Sequence, residues 1–216
     1  TGLLGSGRTE LALSLFGMLP LDSGTIRVTG KDVKLRGVRD AIAAGIAYVP
    51  EDRLTEGLFL SRSIGENITV SEMENFTKAL GFIHKKAIRA EEEKWVKRIE
   101  VVTPDPANAV NTLSGGNQQK VVLAKWLLRD VDILIFDEPT RGIDIGARAE
   151  IYQLINDLAA EGTYILLVSS ALDEVLHMSD RVLVMCEGRV TAELERAEAT
   201  AEAIMTAATD HTKAAS

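Results

Sequence analysis

The run Ile133-Leu134-Ile135-Phe136, followed at once by Asp137 and Glu138, constrains this chain more than any other feature. Consecutive apolar residues leave no polar face, so a strand built from them must be covered on both sides. Pro139 then turns the chain out of the strand. A helix-length segment, Gly146–Ala160, leads to a second apolar run, Tyr164–Val168. Leu172–His177 reads as a short helix and Arg181–Cys186 as a further strand. This alternation predicts an α/β fold, a mostly parallel sheet with helices on both faces.

The residues upstream extend the pattern. Gly2–Gly7 is a loop, and Thr9–Met18 carries apolar residues at helical spacing, so a helix begins where the loop ends. Thr25–Val28 reads as a short strand, Val38–Ala44 as a short helix and Ile46–Val49 as a buried strand, before a charged loop, Glu51–Leu60. From Ser63 to about Arg129 the chain is mostly helical. Lys85–Val101 is dense in charge and presents a solvated face, Pro104 and Pro106 interrupt, and Ser114–Leu128 forms another helix. The expected organisation is an α/β core of residues 1–60 and 131–196, an inserted helical sub-domain of 61–130, and a C-terminal helix and tail of 197–216, disordered after Asp210.

Composition narrows the partners. With 46% hydrophobic residues, the 216-residue chain has enough apolar material for one domain with a sub-domain. A formal net charge of -8 argues against nucleic acid as the main partner. The single cysteine, Cys186, excludes a disulfide within the chain and suits a small core residue. No apolar run approaches the roughly 20 residues that cross a bilayer, so any membrane role is expected to come through a partner. The chain opens directly in the glycine-rich loop, with no strand ahead of it, and reads as a piece truncated at the N-terminus. Strands flanking a missing one are expected to expose ladder groups and apolar surface.

Three motifs carry chemistry. Gly2-Leu3-Leu4-Gly5-Ser6-Gly7-Arg8-Thr9 fits a phosphate-binding loop, with Arg8 where lysine belongs. Gly2, Gly5 and Gly7 let backbone N–H groups crowd around phosphate oxygens, and Thr9 offers a hydroxyl to Mg²⁺. Alone, the loop fits an ordinary glycine-rich turn into a helix equally well. Asp137 and Glu138, at the end of a buried strand, are placed to hold Mg²⁺ and to orient an attacking water. The third motif is Leu113-Ser114-Gly115-Gly116-Asn117-Gln118-Gln119-Lys120. Ser114 is a natural N-cap, and Gly115 and Gly116 leave amides exposed to an anion.

In this order, and with a loop containing Asp144 after the carboxylates, the chain resembles an ABC ATPase over essentially its whole length. The wording LSGGNQQKVVLAKWL and DEPTRGIDIGARAEIY is similar to the tandem ATPases of bacterial ribose-, galactose- and xylose-type importers. Glu51-Asp52-Arg53 and Val168-Ser169-Ser170 resemble the second of the two ATPase halves, and Ser63–Ile68 the segment that meets the membrane subunit. The resemblance implies a P-loop NTPase (RecA-like) core, ATP and Mg²⁺ as ligands, a second ATPase half paired head to tail, and a membrane permease. It also implies a position on the cytoplasmic face of the bacterial inner membrane.

The resemblance places Asp144 and the signature residues Ser114, Gly115, Gly116 and Asn117 among the nucleotide-binding positions. Three positions facing the γ-phosphate depart from the pattern: Arg8 for the loop lysine, Glu51 for the Q-loop glutamine, Ser170 for the switch histidine. Arginine keeps the charge on a broad planar head. Glu51 adds negative charge, although it still suits Mg²⁺. Ser170 is shorter than histidine and carries no charge. Glu138, Ser170 and Glu51 are the catalytic candidates, and Thr9, Asp137 and Glu51 the metal candidates. The expected outcome is a monosaccharide-importer subunit whose own phosphate site is degenerate and whose signature residues complete a partner's site. The alternatives are a non-catalytic, nucleotide-gated structural half and an ABC ATPase of a non-transport class.

Overall fold

The computed structural model describes residues 1–76 and 84–210; the expected tail beyond Asp210 lies outside them. The chain forms two compact units. One comprises Thr1–Tyr48, Ile133–Glu138 and the segment from Tyr164 onward; the other comprises Val49–Asp132 and Pro139–Thr163.

In the first unit, β3 (Ile46–Val49), β4 (Ile133–Asp137) and β5 (Tyr164–Val168) form a sheet with β4 in the middle. β4 and β5 run parallel, in register from Ile133 with Tyr164 to Asp137 with Val168. Leu134, Ile135 and Phe136 are buried, as the unbroken apolar run requires. β5 ends this sheet, and its residues are less covered: Tyr164 is 70% exposed and Ile165–Leu167 are half-buried. An edge strand is covered on fewer sides than a central one. α1 (Arg8–Leu15) packs on β4 and β5.

Two antiparallel hairpins complete this unit, and each contains a strand that periodicity does not reveal. β1 (Ile26–Val28) pairs with β2 (Lys31–Val33), and β6 (Arg181–Cys186) with β7 (Arg189–Glu195). Their turns, Thr29-Gly30 and Glu187-Gly188, place both residues at positive φ, the backbone of a two-residue hairpin. β2 (Lys31-Asp32-Val33) and β7 (Arg189-Val190-Thr191-Ala192-Glu193-Leu194-Glu195) mix charged and polar residues with isolated apolar ones, so neither shows an apolar run. α7 (Leu172–Met178) and α8 (Ala201–Ala208) cover the second hairpin through Val175, Val182, Val184, Ile204 and Ala208. Residues Thr1 and Gly2 run parallel to β6: the Met185 N–H donates to Thr1 O at 2.8 Å. A Cβ on Gly2 would stand 2.3 Å from Met185 O, so only glycine permits this approach.

The second unit holds α2's successor helices. (α2, Val38–Ala43, belongs to the first unit.) α3 (Ile64–Thr69) opens with a reciprocal cap between Ser63 and Glu66. α4 (Lys85–Arg98) buries Trp95 beneath its charged face. α5 (Gly115–Leu127) is covered along most of its length, and α6 (Ile145–Ala160) packs on it. The charged segment after β3 is not a plain loop: Arg53–Gly57 forms one π-helical turn, capped by Asp52. Asn67 is buried and ties α3 to Phe59, accepting its N–H and donating to its carbonyl. Lys125 donates to Gly57 O at 2.9 Å. Burial pushes its ammonium down from 10.5 to about 8.

Two outcomes test this architecture. Phe136→Ala removes a fully buried ring from β4 and is expected to cost about 3–5 kcal/mol in urea unfolding; a cost under about 1 kcal/mol would place Phe136 outside the core. For Lys125, the unfolded chain holds the proton up to its ordinary value near 10.5 and the folded chain releases it near 8. The unfolded state therefore binds more protons in that window, and folded stability rises with pH across it. Relative to Lys125→Met, the protein should gain stability with a slope of at most about 1.4 kcal/mol per pH unit. A difference that stays flat between those pH values would contradict the burial.

Candidate functional site

The chemistry-bearing residues gather in two clusters, each inside one unit. The first surrounds the glycine-rich loop. Ser6 donates its N–H to Leu3 O at 3.1 Å, tightening the loop, and the Gly188 N–H donates to Ser6 O at 2.9 Å, so the β6–β7 turn holds it from behind. Gly7 caps α1, and Arg8 and Thr9 fall on its first turn, where the backbone N–H groups favour an anion.

β4 delivers Asp137 and Glu138 to the same place. Asp137 is fully buried; Tyr48 donates its hydroxyl to Oδ2 at 3.0 Å. Burial pushes the Asp137 carboxyl up, opposed by the hydroxyls of Tyr48 and Thr9, while the charge of Glu138 pushes the same way as burial and Arg8 opposes it. Glu138 sits at φ 47°, just past the strand. Its Oε1 accepts the Ser170 N–H at 2.7 Å and lies 3.7 Å from Arg8 Nη2. The side chains of Arg8 and Glu138 are only 10% and 13% exposed, so this pair is largely removed from solvent.

Three buried polar atoms here have no hydrogen-bond partner among the described residues: Ser6 Oγ, Arg8 Nη1 and Asp137 Oδ1. Buried polar atoms are ordinarily paired. Two are donors suited to phosphate oxygens, and the third is a carboxylate oxygen suited to a divalent cation. The residues present therefore fit a nucleotide phosphate with Mg²⁺. Among the described residues no group of three or more His, Cys, Asp or Glu makes an all-protein metal cage. A cation here would complete its shell with phosphate oxygens and water.

The second cluster lies at the start of α5. Ser114 caps the helix: its Oγ accepts from Asn117 Nδ2 at 3.0 Å and from the Asn117 N–H at 3.5 Å. The Val102 N–H donates to Asn117 Oδ1 at 2.8 Å, which fixes which way that amide faces. With two donors on its oxygen, the Ser114 hydroxyl proton is left to donate elsewhere. Gly115 and Gly116 are small because they are crowded: a Cβ on Gly115 would stand 2.7 Å from Arg53 Nη2, and one on Gly116 2.6 Å from Ala147 Cβ. Asp144 spends its carboxylate on the N-cap of α6, accepting the Ala147 N–H at 3.0 Å. Glu51 belongs to this unit and forms an ion pair with Arg141.

The structure thus joins Gly2, Gly5, Gly7, Arg8, Thr9, Asp137, Glu138 and Ser170 in one unit, and Ser114, Gly115, Gly116 and Asn117 with the turn before α6 in the other. Sequence reasoning missed Tyr48, Ser6 and Arg141. Tyr48 carries the one usable signal, a hydroxyl in an otherwise apolar strand; the other two have none that stands apart from the loops around them.

Comparison with known proteins accords with this geometry. The family model described as ABC transporter matches residues 1–141. The chain is 52% identical over 209 residues to a Rhizobium etli protein named for ribose/galactose/methyl galactoside import ATP binding, covering 97% of this chain and 40% of that one. It is 48% identical over 204 residues to the ribose import ATP-binding protein RbsA of Clostridium perfringens, covering 94% and 41%. The chain therefore spans about two fifths of the length of these relatives. Among solved structures, a nucleotide-free ATP-binding cassette of an ABC transporter superposes with a TM-score of 0.77 at 22% identity, covering 90% of this chain and 78% of that one. CbiO1 of Clostridium perfringens, part of the ABC transporter complex CbiONQ, gives 0.75 at 25% identity, with coverage of 94% and 78%. The glycine-rich loop, the paired carboxylates and the capped start of α5 sit on the P-loop NTPase fold of those cassettes, and this chain belongs to the ABC transporter ATPase family.

Proposed function

We propose that this chain is the second ATPase half of a monosaccharide importer, weak at its own phosphate loop and competent in the surface it offers to a partner half. The observation that carries the reading is the state of Glu138. Its carboxylate accepts the Ser170 amide and lies against the Arg8 guanidinium, both at positions where the family pattern has another residue. A carboxylate engaged in this way is poorly available to orient a water. The Ser114 hydroxyl is held by Asn117 at the N-cap of α5, and Gly115 and Gly116 open that helix. The relatives named for ribose and galactose import support the substrate class.

In this reading Ser6, Arg8 and the loop amides hold the phosphates, and Thr9 and Asp137 hold Mg²⁺. Mg²⁺ bound to the nucleotide neutralises charge on the transferring phosphate. Glu138 and Ser170 stand where the attacking water is positioned. Ser114, Gly115, Gly116 and Asn117 face the nucleotide of the other half, which lies head to tail on this one, and Asp144 shapes the adjoining turn. Sugar crosses through a permease that this protein contacts from the cytoplasmic face of the inner membrane. Among the described residues no helix is long and apolar enough to cross a membrane.

Turnover in the full-length protein with its permease tests this. Glu138→Gln should leave ATP hydrolysis close to that of the parent protein, whereas replacing Ser114 and Gly115 together should lower it about 10²–10³-fold. Abolition of turnover by Glu138→Gln would mean that the altered loop still makes a working site. When the partner half's own catalytic carboxylate is replaced, the residual rate should fall to about a hundredth of the parent's or less; fast residual hydrolysis would overturn the assignment of a degenerate site.

A further inference from the structure

Arg53 belongs to the Glu51-Asp52-Arg53 motif, and the function proposed above makes no use of it. Its guanidinium reaches three acceptors on two separate segments of the second unit. Nε donates to Gln118 Oε1 at 3.3 Å on α5, Nη1 to Arg141 O at 3.0 Å and Nη2 to Gly142 O at 3.4 Å. All three acceptors are neutral, so these contacts fix position without cancelling the charge of the guanidinium. The same group lies over the first residue of α5, where the absent side chain of Gly115 makes room for Nη2.

The base from which Arg53 reaches is itself held at both ends. Asp52 accepts the N–H groups of Leu54 and Thr55 at 2.9 and 3.4 Å, and Lys125 donates to Gly57 O at 2.9 Å. A single π-helical turn, Arg53–Gly57, lies between these anchors. Such turns re-aim a side chain relative to a regular helix. Here the turn sends the planar fork of Arg53 between the start of α5 and the Arg141–Gly142 backbone.

We propose that Arg53 is a positioning residue for the reaction at the partner half. It fastens the Arg141–Gly142 turn to the first turn of α5, and so holds Ser114–Asn117 in the shape that the partner's nucleotide requires. The proposal rests on the reading that this signature turn completes a site in trans. It also accounts for Gly115: any side chain there would displace the guanidinium. Lysine at position 53 would keep the charge but could not serve three acceptors in one plane.

The test uses the full-length protein with its permease, measuring kcat and KM for ATP together with thermal melting for three single variants. Arg53→Lys is expected to lower kcat roughly 10- to 100-fold, as misplacement of a catalytic element does, with KM and melting little changed. Gln118→Met removes one of the three acceptors and should lower kcat in the same direction by a smaller factor; it decides the matter if Arg53→Lys fails to fold. Ser114→Ala reports on the underlying reading. If Ser114→Ala abolishes turnover while Arg53→Lys and Gln118→Met leave kcat intact, or raise only KM, the positioning role is overturned and the trans-acting signature stands. If Ser114→Ala leaves turnover intact, the trans-acting signature falls, and the role of Arg53 falls with it.

Discussion

Burying Asp137 is the constraint on which the first unit depends. An ionised carboxylate withdrawn from water costs several kcal/mol unless positive charge and hydrogen bonds offset it. The fold supplies these from two elements. Tyr48 comes from β3, the neighbouring strand, and Thr9 and Arg8 come from the first turn of α1. That need fixes where the glycine-rich loop must sit, because α1 has to begin beside the end of β4. The loop is then trapped between β4 and the turn of the second hairpin. Among the described residues one oxygen of Asp137 still lacks a partner, as do Ser6 Oγ and Arg8 Nη1. The offset is therefore incomplete without a ligand, which is the physical form of a binding site.

The second unit solves a different problem with the same economy of atoms. The turn at Gly115 and Gly116 is crowded, because Arg53 and Ala147 approach within contact distance of where side chains would stand. Glycine at a helix N-terminus is often read as exposure of backbone amides. Here it also reflects crowding, and the crowding is with residues that define the turn before α6. Ser114 gains a fixed hydroxyl orientation from Asn117, whose amide is in turn set by Val102. The signature residues are thus a hydrogen-bonded assembly rather than a bare cap.

Much of this was legible in the sequence. The unbroken apolar run of β4, the glycine-rich loop opening α1 and the serine capping α5 each declare themselves through local physics: burial on both faces, a left-handed loop, a side-chain cap. β2 and β7 did not, because each mixes charged and polar residues with isolated apolar ones; only the two-residue turns Thr29-Gly30 and Glu187-Gly188 hint at a returning strand. The charged segment after β3 looked like an open loop, since nothing local announces a π-helical turn held by Asp52 and Lys125.

What the sequence determined by itself is the set of local elements and the chemical character of each motif, because both follow from neighbours within a few residues. It also determined which positions break the family pattern: Arg8, Glu51 and Ser170. What only the tertiary structure decided is the use to which those groups are put. Glu138 is engaged by a backbone amide 32 residues away, Glu51 by Arg141, and Arg53 by two carbonyls 88 and 89 residues along the chain. Hydrogen bonds over such separations depend on how strands and helices stack, and no local periodicity encodes that stacking.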